Sequence, residues 1–211
     1  MNKEADYYDL EIDLGELASN SGVEDFFYYK DVASRKFFLN CEVSQASVAD
    51  MCRHILQINS DDKGIEPSAR KPIFLYLSTI GGFVDPGFQL IDIIESSVTP
   101  VYTINIGGAY SMGFYIMLAG HKRFSFPNGK FMMHNGSTQI QGNSASVQDA
   151  IKFQERVEER IKDFVVTHSK IDSELYDKKF REEWSLFADE AQELGVIDFI
   201  IGKDCSLDEV V

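Results

Sequence analysis

Apolar runs and helix-like apolar spacing alternate along residues 35–126. The strand segments are short, apolar and rich in aromatic or β-branched residues, and the helix segments repeat apolar residues every three or four positions. Strands are predicted at 35–41, 73–77, 101–106 and 124–126. Helices are predicted at 44–58, 86–96 and 114–120. This alternation predicts an α/β layer with right-handed connections between parallel strands.

The second half of the chain adds one long helix. A strand is predicted at 130–134, and a polar, glycine-bearing segment follows at 135–144. Residues 145–167 keep an apolar stripe at helical spacing, with most of their charges off the stripe. Residues 135–167 are therefore predicted to form either an arm between subunits or an ordinary surface helix of one domain. A charged stretch, a short helix at 188–194 and a last strand at 196–200 complete the pattern.

The N-terminal residues 1–34 are acidic and aromatic and show only a weak pattern. We expect an N-terminal arm, packed either on a neighbouring subunit or on its own domain. Residues 35–200 form the predicted main domain, and 201–211 a C-terminal tail.

Composition narrows the function classes. The net charge of −14 argues against nucleic acid and against an anionic membrane surface as partners. The three cysteines, Cys41, Cys52 and Cys205, show neither a disulfide framework nor zinc spacing, which favours a reducing cytoplasm. Neither a signal peptide nor an apolar run long enough to span a membrane is visible, so a cytoplasmic protein is expected.

A serine lies in a small-residue turn between a predicted strand and a predicted helix. The turn is Gly107-Gly108-Ala109-Tyr110-Ser111-Met112-Gly113. Such a turn exposes the hydroxyl at a helix N-terminus, where free N–H groups favour developing negative charge, as an acyl-transfer nucleophile requires. The alternative is that Ser111 is a simple N-cap in a tightly packed turn.

Five segments in one order resemble the proteolytic subunit of the Clp protease, the ClpP family, over roughly residues 35–200. They are Phe37-Phe38-Leu39 with Glu42-Val43, Ile73–Leu77 with Gly81-Gly82, Gly107–Gly113, Arg123-Phe124 through His134, and Ala188–Ala191 with Gly195 and Asp198. The resemblance implies a ClpP/crotonase-like ββα spiral fold in which residues 135–167 form a protruding handle. It implies no metal and no organic cofactor.

The resemblance also implies roles for single residues. Ser111 would be the nucleophile and His134 the general base, and the backbone N–H groups of Gly82 and Met112 would hold the oxyanion. The third position of the family's triad is an aspartate, whereas this sequence has Glu183 there. A glutamate can orient an imidazole, although its extra methylene requires the carboxylate to retract. Glu183 is therefore either the orienting acid or a solvated carboxylate, and Glu182 or Asp189 would be the nearest substitutes.

Other positions depart from the family pattern. Thr79-Ile80 precedes the glycine pair where the family has Ser-Pro, and Asn135-Gly136 follows the histidine where it has Gln-Pro. Phe74 and Tyr76 match aromatic positions of the cleft where the family binds its ATPase, whereas Ser96 stands where an aromatic is usual. By resemblance, the changes at 79–80 and 135–136 lie beside the substrate groove and bear on rate and subsite preference. The change at Ser96 leaves the ATPase partner open.

By resemblance, the chain is expected to form stacked heptameric rings, with itself or with a paralogue. It would hydrolyse unfolded proteins or short peptides inside the chamber, with a Clp ATPase unfoldase as a possible partner. Two alternatives stay open. One is a catalytically impaired ring subunit that regulates an active paralogue, and the other is a crotonase-type enzyme acting on a CoA thioester.

Overall fold

A computed structural model describes residues 23–211, which form seven helices and seven strands together with three short 3₁₀ turns. The helices are α1 (Val23–Ala33), α2 (Gln45–Asp61), α3 (Val84–Ser96), α4 (Met112–Leu118), α5 (Ser144–His168), α6 (Ser173–Lys179) and α7 (Ala188–Glu193). The strands are β1 (Lys36–Leu39), β2 (Ile73–Thr79), β3 (Val101–Tyr110), β4 (Lys122–Ser125), β5 (Lys130–Met133), β6 (Trp184–Phe187) and β7 (Phe199–Ile200).

The seven strands form one mixed sheet with the path β1-β2-β3-β4-β7, in which all neighbours are parallel. The long strand β3 changes partner along its length. Its first half, Tyr102–Asn105, pairs with β4, and its second half, Gly108–Tyr110, pairs with β5. β5 in turn pairs with β6 in antiparallel fashion. The predicted α/β fold with a parallel sheet is therefore confirmed.

Two apolar clusters hold the sheet. The larger one packs α2, α3, α4, α5 and α7 against the strands, and it includes every residue of α4 except Gly113. That complete burial explains why residues 112–118 are apolar all round rather than amphipathic. The smaller cluster consists of Tyr76, Ile104, Phe124, Ile201 and Val210. There the Tyr76 hydroxyl donates to the carbonyl oxygen of Val210, so the C-terminal tail packs on the aromatic face of β2.

A buried ion pair fixes the start of β1. Arg35 donates two hydrogen bonds, of 2.7 and 2.8 Å, to the carboxylate of Asp62, which is 2% exposed. Asp62 also accepts a hydrogen bond of 2.9 Å from Thr99. The pair therefore ties the α1–β1 junction to the end of α2.

Helix α5 leaves the core over its N-terminal half. Its buried residues are Ile161 and Val165, whereas Ile151 and Phe153 are 45% and 62% exposed. Asn143 caps the helix by accepting a hydrogen bond from the Ser146 N–H. The segment 135–143 before it has no regular secondary structure. The irregular segment and the outer half of α5 together have the form of the predicted handle. That this segment contacts other subunits stays a prediction.

Several boundaries differ from the sequence predictions. β3 continues to Tyr110, and the following helix begins directly at Met112. Helix α6 lies in the charged stretch 169–183 and strand β6 directly follows it, and neither element was predicted. The last strand is only Phe199–Ile200, because the N–H groups of Val196 and Ile197 donate back to the Ala191 carbonyl oxygen rather than to β4. Of the predicted N-terminal arm, residues 1–22 lie outside the described residues, and 23–33 form α1. No helix among residues 23–211 is long and apolar enough to cross a membrane.

Candidate active site

Ser111 occupies the one-residue turn between β3 and α4. Its φ of 52° and ψ of −119° lie in a region that non-glycine residues rarely adopt. Backbone strain of this kind is typical of nucleophiles on strand-to-helix turns. Ser111 stands at the N-cap position of α4, but its hydroxyl makes no capping hydrogen bond to any described residue. The simple N-cap alternative is therefore not what the geometry shows.

The sheet register brings His134 to this serine. β3 and β5 are parallel, with Tyr110 opposite Met132, so the residues that follow both strands emerge at one edge. The Ser111 N–H donates to the Met132 carbonyl oxygen at 2.7 Å and closes this edge. The His134 Nε2 then lies 2.9 Å from Ser111 Oγ, within hydrogen-bonding distance.

The glycine pair at the end of β2 packs against the same turn. A Cβ at Gly81, whose φ is +91°, would lie 2.6 Å from both Ser111 Cβ and the Tyr110 carbonyl oxygen. A Cβ at Gly82 would lie 2.3 Å from the Val43 carbonyl oxygen. Glycine is required at 82 by this close contact with Val43. The hydroxyl of Thr79 accepts a hydrogen bond from the Gly81 N–H and donates to the Cys41 carbonyl oxygen, so it holds the pair in place.

Two backbone amides border the cleft beside Ser111. Met112 is the first residue of α4, so its N–H has no acceptor within its own helix. The bridge between Val43 and Gly82 uses the Gly81 carbonyl and the Phe83 N–H, and no described residue accepts a hydrogen bond from Gly82 N–H. Both Gly82 and Met112 line the cleft together with Ser111 and His134. Neither N–H has an acceptor among the described residues, and the role of both groups as oxyanion donors stays a prediction.

Glu183 lies opposite His134 on the neighbouring strand, but the two side chains form no hydrogen bond or ion pair. β5 and β6 pair with Met133 opposite Trp184, so one further step along this register places His134 opposite Glu183. The Glu183 side chain is exposed and lines a neighbouring cavity with Tyr110 and Met132. Among the described residues, none makes a hydrogen bond to Nδ1 of His134. The structure therefore joins Ser111 and His134 and leaves the acid apart.

The cleft holds about 300 Å³ and extends from Ser111 along α5. Beyond the predicted residues, it is lined by Tyr115, Gln154, Glu158, Ile161 and Phe180. These residues were not singled out from the sequence. Gln154 and Ile161 belong to the apolar stripe predicted for residues 145–167, whereas Glu158 was counted among the charges off that stripe. Their helical spacing, four and three residues apart, still places all three on one face of α5.

The remaining histidines have structural contacts. His121 Nδ1 is 3.1 Å from the Val101 backbone nitrogen, and His168 Nε2 lies 2.6 Å from a carboxylate oxygen of Glu95. His54 stacks on Phe37, and its pKa is lowered mainly by burial. Within residues 23–211, no group of three or more His, Cys, Asp or Glu is arranged to hold a metal ion.

The fold and the site define an α/β protein with a serine–histidine pair on a strained strand-to-helix turn. A model of the Clp protease family matches residues 23–204. The chain therefore belongs to the Clp protease family. It is 27% identical over 191 residues to "ATP-dependent Clp protease proteolytic subunit 2" of Treponema pallidum (strain Nichols), covering 90% of this chain and 92% of that protein. It is 28% identical over 187 residues to the protein of the same description from Treponema denticola, covering 88% and 90%.

Proposed function

We propose that this chain is a serine endopeptidase that cleaves peptide bonds through an acyl-enzyme on Ser111. The observation that carries the proposal is the 2.9 Å contact between Ser111 Oγ and His134 Nε2, on a turn whose neighbouring amides face the same cleft. A serine hydroxyl is a poor nucleophile until an adjacent imidazole accepts its proton.

The two halves of the reaction use the same groups. His134 Nε2 takes the hydroxyl proton while Ser111 Oγ bonds to the peptide carbonyl carbon, and the N–H groups of Gly82 and Met112 stabilise the oxyanion. Collapse of the tetrahedral intermediate breaks the C–N bond, and the protonated His134 gives its proton to the leaving amine. A water then attacks the acyl carbonyl carbon while His134 takes a proton from it. The bond between the acyl carbon and Ser111 Oγ breaks, and His134 returns the proton to Oγ as the acid leaves.

Glu183 is the proposed partner of His134 Nδ1. One step beyond the Met133–Trp184 pair, Glu183 is directly opposite His134. This supports the role, because directly opposed residues of antiparallel strands have Cβ atoms about 4.5–5.5 Å apart. A rotation of its side chain toward His134 would place the carboxylate within reach of the imidazole. Glu182 is less suited, since its carboxylate accepts a 3.0 Å hydrogen bond from Lys179.

The proposed quaternary assembly rests on membership of the family and on the apolar surface that the outer half of α5 exposes. We infer stacked heptameric rings of this chain, alone or with a paralogue, with the active sites facing an enclosed chamber. Ile151 and Phe153 on the outer half of α5 are apolar and exposed, as expected for a segment that meets another subunit. The substrates would be unfolded chains or short peptides, with a Clp ATPase as the unfolding partner. The three free thiols fit the reducing cytoplasm.

A catalytically impaired ring subunit is the second candidate. It is favoured by one observation, that Glu183 is exposed and makes no hydrogen bond to His134 among the described residues. An imidazole without an orienting partner is a weaker base in this geometry.

Hydrolysis of short fluorogenic peptides by the assembled protein distinguishes the two. If the chain is a peptidase, we expect turnover that disappears in Ser111→Ala, while the mass of the assembly stays the same. Turnover equal in the wild type and in Ser111→Ala would overturn the proposal. Absence of turnover from the homo-oligomer, with stimulation of an active paralogue, would support the impaired subunit.

A further inference from the structure

One face of α5 forms the wall of the cleft beyond the serine. Gln154, Glu158 and Ile161 follow at four- and three-residue spacing and all line the cleft that contains Ser111. Opposite them, Tyr115 lies one helical turn after Ser111 on α4 and is 5% exposed. The pocket next to the nucleophile is therefore lined by apolar side chains and by the carboxylate of Glu158.

The charge of Glu158 is not neutralised within the described residues. No Lys, Arg or His lies within 4.0 Å of its carboxylate, whereas Lys162, one turn further along α5, is already paired with Asp177 at 2.6 Å. Glu158 accepts a single hydrogen bond of 3.4 Å, from the Gln154 amide. It is half-buried, while its neighbours Glu155 and Glu159 are exposed. A half-buried carboxylate with so few partners favours a cation from outside.

A second polar group near Glu158 has no hydrogen-bond partner among the described residues. Tyr176 is 2% exposed, and its hydroxyl has no hydrogen-bond partner among the described residues. Its cavity shares Asn135, Glu158 and Phe180 with the catalytic cleft. Burial, with the nearby charge of Glu158 among smaller contributions, raises the pKa of Tyr176, so the phenol stays neutral and its oxygen keeps a free lone pair.

We propose that this pocket binds a basic side chain, lysine or arginine, on the residue whose carbonyl Ser111 attacks, the P1 residue. Glu158 accepts the charge-assisted hydrogen bonds, and the Gln154 carbonyl and the Tyr176 hydroxyl are further acceptors. Tyr115, Ile161 and Phe180 contact the aliphatic stem, which long cationic side chains bury against apolar surface. The inference deepens the proposed peptidase function and rests on it.

The test uses three fluorogenic peptides that differ only at P1, with lysine, norleucine or glutamate. Lysine and norleucine have stems of similar length, so their ratio of kcat/KM isolates the charge. We expect the lysine peptide to exceed norleucine by about tenfold or more, and glutamate to be the poorest, since a charge-assisted hydrogen bond typically contributes that much. The ratio should collapse toward one in Glu158→Gln, and Glu158→Lys should reverse the order of lysine and glutamate.

Asp163→Asn is the matched control, because it removes one negative charge from an exposed position of the same helix. It should leave the lysine-to-norleucine ratio unchanged. Ser111-dependent turnover with norleucine equal to or above lysine would overturn this inference and leave the peptidase function standing. A lysine preference that Glu158→Gln does not reduce would also overturn it. Turnover of none of the three peptides would overturn both.

Discussion

The backbone N–H of Ser111 donates a 2.7 Å hydrogen bond to the carbonyl oxygen of Met132. This bond extends the β3–β5 pairing by one residue past the end of β3. It fixes the Ser111 turn to Met132, which precedes His134 by two residues. The 2.9 Å approach of His134 Nε2 to Ser111 Oγ is thus a consequence of backbone register. The pair is pre-positioned by the sheet rather than by flexible side chains.

Gly81→Ala should inactivate the enzyme by moving the nucleophile. The new Cβ would lie 2.6 Å from Ser111 Cβ in a backbone with φ +91°, so the turn must shift. A displacement of about 1 Å at the reacting atom can cost roughly 10²-fold in rate, and we expect a fall in kcat of that order. Steady-state hydrolysis of a short peptide measures it.

Gly64→Ala is the control for this substitution, since a Cβ there meets nothing within 4 Å. Its activity should equal that of the wild type. If Gly81→Ala retained full kcat, the close packing of Gly81 on the Ser111 turn would not hold in the active enzyme.

Glu183→Gln should lower kcat by about 10²–10⁴-fold with little change in KM, because an amide neither stabilises the imidazolium nor fixes the same tautomer. Glu182→Gln is the matched control, since the Glu182 carboxylate pairs with Lys179 instead. Comparing the pH–rate profiles of both variants with the wild type separates a role at His134 from a general loss of charge. Wild-type hydrolysis by Glu183→Gln would remove Glu183 from the site.

Asp62→Asn should destabilise the fold by about 3 kcal/mol, because it leaves the Arg35 guanidinium facing a neutral amide in a buried pair. Although burial opposes it, hydrogen bonds from Arg35 and Thr99 hold the pKa of Asp62 below its usual 3.8. The folded-state pKa is thus below the unfolded one. The contribution of Asp62 to stability is complete above about pH 3.8 and is lost as the pH falls through the folded-state pKa.

Thermal unfolding across pH 3–8 measures this effect. The difference between wild type and Asp62→Asn should be constant at neutral pH and should narrow in acid. Asp50→Asn, which removes an exposed ion pair with Arg53, should change the melting temperature little. Equal unfolding curves for wild type and Asp62→Asn at pH 7 would contradict the role of the buried pair.

The main parts of the fold and of the site were predictable because their signals are local. The apolar runs of β2 and β3 and the small-residue turn around Ser111 are contained in short windows of sequence. That Ser111 and His134 act together was predicted from the family resemblance, and the parallel pairing of β3 with β5, which brings both strand ends to one sheet edge, is seen only in the structure.

The surroundings of Glu183 could not be predicted in the same way. Its position depends on strand β6, whose residues Trp184–Phe187 follow a charged stretch and show burial only at Leu186 among exposed neighbours. That strand forms because β5 offers it a free edge, which is tertiary information. The lining of the cleft by Glu158 depends likewise on how α5 packs against α4, and helical spacing alone does not distinguish a packed face from a substrate-binding one.

Covalent labelling of the assembled protein tests the central claim, that Ser111 is an activated nucleophile, most directly. A serine-reactive fluorophosphonate, followed by intact mass and peptide mapping, should give one adduct per chain, located on Ser111. Labelling should be absent in Ser111→Ala and strongly slowed in His134→Ala. An adduct on another residue, or none in any state of assembly, would contradict the account.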